Sequence, residues 1–202
     1  MTSLIFVSCN RGAESIADAI SEGVENAEGI ENAEGGGTTE TGIFLRSDAV
    51  AKAMEKLKNL PKFKGKKIMV FQDINFHDLQ GGRITLSISD PDKPENIDQY
   101  TYSNGSWSDP VPVTITGDGK ISDNVTDLNE INYKAIPSML KIADEKAKTI
   151  EGGKAGDDMI TFIYTPTFNK RFFQLPGGIK GTRETYNIRF DKDGKLSEFT
   201  KN

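Results

Sequence analysis

One helical pattern is written twice in this chain, and that doubling constrains the fold more than any single motif. Ala53-Met54-Glu55-Lys56-Leu57-Lys58-Asn59-Leu60 aligns without a gap on Ala143-Asp144-Glu145-Lys146-Ala147-Lys148-Thr149-Ile150. Around each copy the apolar residues recur at helical spacing: Val50, Ala53, Met54, Leu57 and Leu60 in the first, Ile136, Met139, Leu140, Ala143, Ala147 and Ile150 in the second. Ser47-Asp48 offers N-cap chemistry to the first, and Pro137 suits the first turn of the second. Pro61 with Gly65, and Gly152-Gly153, stop them.

Each helix leads into strands. In the first half these fall at 67–71, with 73–79 as a continuation or a loop, at 83–89 with period-two alternation, and around Tyr100 and Tyr102. Asn104-Gly105 asks for a type I′ hairpin, and 107–115 returns as an edge strand interrupted by Pro110 and Pro112. In the second half strands fall at 159–164, 171–175 and 185–190, and the last closes through Asp193-Gly194 onto Leu196 and Phe199. The expected class is α+β: two helix-on-antiparallel-sheet units in α-β-β-β order, at 43–117 and 132–202, a tandem repeat. The alternative is a single larger α+β domain. Duplication predicts that Trp107 and Leu196, each two residues beyond its turn glycine, hold equivalent places.

Upstream, Leu4-Ile5-Phe6-Val7-Ser8-Cys9 runs an apolar stretch into a small residue and then the only cysteine. This resembles the lipobox of bacterial lipoproteins, in which the chain is cut before the cysteine and a lipid is attached to it. The resemblance implies lipidation at Cys9 and residues 1–9 as a truncated signal segment; Met1-Thr2-Ser3 is too short for a basic leader, which is expected to mean either a start upstream of Met1 or a trimmed leader. Residues 10–42 are rich in Gly, Glu, Asn and Ala, with Val24-Glu25-Asn26-Ala27-Glu28-Gly29 nearly repeated from Ile30 to Gly35. Such a segment buries too little apolar surface to offset its ordering entropy, so it is expected to be a flexible, disordered acidic tether. Anchor and tether place the chain in the bacterial cell envelope, on the periplasmic side or at the cell surface, touching membrane only through the lipid.

Tyr186-Asn187-Ile188-Arg189-Phe190-Asp191-Lys192-Asp193-Gly194-Lys195-Leu196 resembles the closing hairpin of PepSY domains. Two such units in tandem resemble the beta-lactamase-inhibitor-protein-like architecture of bacterial secreted lipoproteins. What that resemblance implies is binding: such modules are associated with inhibiting or chaperoning other envelope proteins.

The candidate chemistry is thin. Net charge is -5 with Lys and Arg scattered among Asp and Glu, so nucleic acid is not an expected partner. His77, the only histidine, reads as a surface or loop residue rather than part of a triad. Asp90, Asp92 and Glu95 sit in a proline-punctuated loop that reads as a rigid turn before it reads as a calcium site, and Asp191-Lys192-Asp193-Gly194 reads as a hairpin turn. Asp73 and Asp78 are the carboxylates an enzyme reading would use. Neither a metal nor a cofactor is expected, and no catalytic residue is assigned. Candidate binding residues are aromatic: Tyr100, Tyr102, Trp107, Phe168 and Phe172. On a strand Tyr100 and Tyr102 share a face, which is core if a helix covers it and a stacking platform if it is open. The expectation is a non-enzymatic, lipid-anchored binding protein that recognises an envelope protein or peptide by a sheet face or aromatic loops. The alternative is a carbohydrate-binding accessory lipoprotein with a glycan ligand.

Overall fold

The computed structural model describes residues 43–156 and 158–202. Cys9 and the 10–42 tether lie outside the described residues. Both expected helices form. Helix α1 (Ala49–Lys58) buries Val50, Ala53, Met54 and Leu57, and α2 (Ile136–Ala147) buries Ile136, Met139, Leu140, Ala143 and Ala147. The start of α1 is served by Ser47, whose Oγ accepts the Ala49 N–H at 3.3 Å.

The strands are β1 (Met69–His77), β2 (Arg83–Ser89), β3 (Ile97–Ser103), β4 (Ser106–Trp107), β5 (Val111–Val113), β6 (Val125–Asp127), β7 (Lys154–Ala155), β8 (Met159–Thr165), β9 (Lys170–Gln174), β10 (Ile179–Lys180), β11 (Thr185–Asp191) and β12 (Leu196–Lys201). They make one antiparallel sheet in the order β4-β3-β2-β1-β8-β9-β11-β10-β7, with β5 on β3, β6 on β1 and β12 on β11.

Two separate helix-on-sheet units are therefore not what this chain builds. The correction lies at one seam: Asp73–His77 of β1 pair with Met159–Ile163 of β8, so strands from 43–117 and 132–202 share a single twelve-stranded sheet. The physical reason is edge chemistry. In separate units β1 and β8 would each present a row of unpaired N–H and C=O groups, and pairing them removes both edges. The connector joins in too, since Val125–Asp127 pairs with Met69–Phe71. Both helices feed one continuous core, and Arg46 ahead of α1 grips Asp144 of α2 through two hydrogen bonds of 2.7 and 3.2 Å.

Trp107 and Leu196 both pack half-buried against the core, opposite Tyr102 and Phe190, but the turns that lead to them differ. Asn104 and Gly105 have φ of 50° and 80°, the two positive values a type I′ turn needs, and Tyr102 pairs with Trp107. The second turn is wider: Asp191 Oδ1 accepts from the N–H groups of Asp193 and Lys195, each at 2.9 Å. The first turn meets α1 near its C-terminus, where Lys56 Nζ donates to the Gly105 carbonyl at 2.8 Å. At the second, Gly194 abuts Ala135, just before α2 begins.

Period-two alternation sorts the strands. Ile74, Phe76, Ile84, Leu86, Ile88, Ile160, Phe162, Phe173, Ile188 and Phe190 are buried with the helices, and their strand neighbours face the other way. Beyond α1, Lys62 holds the β2–β3 connection by bridging Asp90 at 3.0 Å and Asp98 at 3.1 Å, while Lys66 bridges Asp92 at 2.7 Å. The acidic loop is thus tied by lysines, as a rigid turn requires. Burial alone would lower the Lys62 pKa, but its hydrogen bonds to Asp90 and Asp98 outweigh that and leave it above the ordinary value. The Asp92 N–H and then the Lys62 ammonium hold the Asp90 carboxyl below its ordinary value, against the burial that raises it.

A folded pKa below the unfolded one means that Asp90 stabilises the protein above about pH 3.9, and that this contribution fades as pH falls further. The stability gap between wild type and Asp90→Asn is therefore expected to narrow steadily below about pH 4 in urea titrations. A gap that stays constant from neutral pH down to pH 2 would remove Asp90 from the acid response.

Candidate functional site

Among the described residues, the sheet face away from the helices is not covered by either helix, and it is a candidate surface for recognition. Its residues follow from the alternation: if Ile74 and Phe76 point to the core, then Asp73, Asn75 and His77 point outward. Register carries this across the sheet. Thr101, Thr85, Asn75, Thr161, Gln174, Arg189 and Glu198 stand opposite one another in turn, a polar row crossing seven strands. Beside it runs an apolar strip in which Phe71 faces Val125 and Ile163 faces Phe172. These four are half-buried and stand outside the core cluster.

The polar row is internally bonded near its centre. Thr161 Oγ1 donates to Asn75 Oδ1 at 3.0 Å, and Asn75 Nδ2 donates to Asp73 Oδ2 at 2.8 Å. At its far end Arg189 bridges Glu198 at 2.8 Å, and its guanidinium lies 5.2 Å from the centroid of the Phe172 ring. There the surface dips into a hollow of about 590 Å³ whose lining includes Lys170, Phe172, Arg189, Asp191 and Glu198.

A local irregularity displays Asp73. Phe71 pairs with Ser87 and Ile74 with Leu86, so Gln72 and Asp73 are extra residues that β2 does not match. Gln72 adopts φ 58°, left-handed backbone that costs a non-glycine residue about 1–3 kcal/mol. Its side chain donates to Asn124 Oδ1 at 3.3 Å. At this bulge β1 changes neighbours, from β6 to β8. Bulges re-aim side chains, and this one sets a carboxylate beside Phe71 and opposite Ile163.

The aromatic candidates divide. Tyr100 and Tyr102 are 2% and 8% exposed, and they belong to a buried chain with Phe63 and Phe44. Trp107 stacks obliquely on Tyr102 at 5.4 Å and donates its indole N–H to the Ala53 carbonyl of α1 at 2.8 Å. Tyr100 and Tyr102 are core, a correction to their candidacy as a binding surface, because Phe63 and Phe44 on either side of α1 pack on their rings; Trp107 is half-buried against that core and tied to α1. Phe172 lies on the open face, and Phe168 is 72% exposed at the tip of the turn Pro166–Phe168.

His77 is a strand residue on the open face, opposite Arg83 and Met159, rather than a loop residue. Asp73 and Asp78 do not converge: Asp73 is on the open face, whereas Asp78 is buried and its Oδ1 accepts the Leu45 N–H at 3.0 Å. Among the described residues no cluster of His, Cys, Asp or Glu is arranged to hold a metal ion, and no helix is long and apolar enough to cross a membrane.

Sequence reasoning missed Phe71, Asn75, Ile163 and Gln174 as half-buried residues of the open face, and Thr161 as a buried one among them. The signal was present in β8, where Met159-Ile160-Thr161-Phe162-Ile163-Tyr164 is apolar at both parities, as a strand with two apolar faces must be. Comparison with known proteins adds no relative to this geometry: no family model matches the chain, and no curated protein or solved structure matches it significantly.

Proposed function

We propose that this is a non-enzymatic binding protein, held to the bacterial cell envelope by a lipid on Cys9, which captures a protein or peptide partner on its open sheet face. One observation carries the reading. In a chain that is 27% charged, the outward positions of β1, β2, β3 and β8 are nearly neutral, with only Asp73 and Arg83 charged. Depletion of charge around half-buried apolar side chains is the composition of an interface centre, not of a merely solvated face. The glycan alternative has less support, because Tyr100 and Tyr102 are buried and the half-buried Trp107 has its indole N–H committed to the Ala53 carbonyl.

The test places a photo-reactive residue at Thr85 or Gln174 on the open face, and at exposed Lys141 on α2 or Lys148 at its C-terminal end, in cells of the source organism. A discrete adduct from the open face alone is expected. Equal adducts from α2, or none from the sheet, would overturn the reading. In the same cells a radioactive fatty acid is expected to label the chain, and Cys9→Ala to abolish the label; a chain that stays unlabelled ends the anchor.

A further inference from the structure

The open face presents one carboxylate whose cation is missing. Among the described residues Asp73 has no ion pair, and its bond from Asn75 satisfies only Oδ2. The other acids around the face are committed. Glu198 is bridged to Arg189, Asp127 to Lys67 at 3.3 Å, and Asp191 caps its turn through two backbone N–H groups. Asp73 is also singular in its setting, since it is carried on a strained bulge that β2 does not require. Phe71 precedes it by two residues on the same face, and Ile163 stands directly opposite. A carboxylate framed by apolar side chains, with one oxygen free, suits a cation that arrives on a hydrocarbon stem.

We infer that the open face docks a protein segment carrying a lysine or arginine between apolar side chains, with the cation on Asp73 and its stem over Phe71 and Ile163. This rests on the open-face reading above and names the partner's chemistry. Complementarity of this kind sets register and excludes wrong partners. A neutral partner would leave Asp73 desolvated and unpaired, so it is selected against.

The probe is a displayed library of random dodecapeptides, selected on the full chain. Enriched peptides are expected to carry Lys or Arg flanked by apolar residues, and to lose about tenfold or more in affinity against Asp73→Asn. Binding is expected to weaken with salt and to be unchanged by Asp118→Asn, an exposed acid of the connector. A charge swap closes the test: Asp73→Lys is expected to recover binding to the same peptides remade with Glu at the basic position. Enriched peptides without a basic residue, equal affinity for Asp73→Asn, or no enrichment each overturn the inference. The photo-adducts separate the two failures. Adducts at Thr85 and Gln174 that persist in Asp73→Asn leave the face as a docking surface and remove only the cation; no adducts in the wild type remove the surface itself.

Discussion

Phe162→Ala is expected to cost about 3–5 kcal/mol of stability, whereas Ile163→Ala, one residue further along the same strand, is expected to cost no more than about 1 kcal/mol. Phe162 is fully buried and stands at the seam where the two halves of the sheet meet. It faces Ile74 of β1 on one side and Phe173 of β9 on the other, and its ring meets that of Phe173 edge-on at 5.3 Å and 64°. Truncation removes the aromatic pair and leaves a cavity bounded by three strands, which the hydrogen-bonded ladder hinders from collapsing. Ile163 points to the open face and leaves no enclosed void. Urea denaturation of both variants measures the contrast. A small loss for Phe162→Ala would mean that the β1–β8 seam is not a packed centre, and near-equal losses would mean that the second face is covered.

That contrast also marks the boundary of what the sequence displays. Period and turn chemistry are local, so the helix faces, the alternation of β2 and the Asn104-Gly105 hairpin were all readable. Pairing of β1 with β8 joins residues more than eighty positions apart, and nothing in either strand names its partner. The doubled helix pattern then misled in a specific way. Two amphipathic helices look alike because Ala, Glu and Lys are common on helix surfaces, and the likeness says nothing about whether they cover one sheet or two. Residue 125 makes the same point, for the 117–132 connector is polar and still contributes β6 to the edge of β1.

The site was legible only as far as parity reaches. Tyr100 and Tyr102 share a face by parity, but which face is decided by distant packing: Phe63 and Phe44 meet their rings, and the Ala53 carbonyl takes the Trp107 indole N–H from a distance of 54 residues. Phe172 and Phe173 are adjacent and equally apolar, yet one is core and the other surface. Only the register with Phe162 separates them. Asp73 was visible as a carboxylate, but its display depends on a two-residue mismatch with β2, which no single strand reveals.

Gly82→Ala is expected to destabilise the protein by about 3–5 kcal/mol, while Gly81→Ala beside it costs about 1–2 kcal/mol. Both glycines have positive φ, 81° at Gly81 and 109° at Gly82, so both substitutions carry a backbone penalty. At Gly81 an added Cβ meets open space. At Gly82 it would enter the ring of Phe44, and the backbone lies at φ 109° and ψ 132°, a region that is nearly glycine's alone. Phe44 has little freedom to yield. It is 6% exposed, stacks on Tyr102 at 6.0 Å and 21°, and is followed by Leu45, which is wholly buried and donates its N–H to Asp78. Expelling the ring forfeits about 1.5–3 kcal/mol of burial in addition to about 1–3 kcal/mol of backbone strain. The measurement pairs urea denaturation with trypsin cleavage after Arg46, whose side chain is bridged to Asp144. Faster cleavage at Arg46 is expected in Gly82→Ala and not in Gly81→Ala. If the two variants lose equal stability, Phe44 has moved aside at little cost, and the strap from residue 43 to 46 is not locked to the sheet.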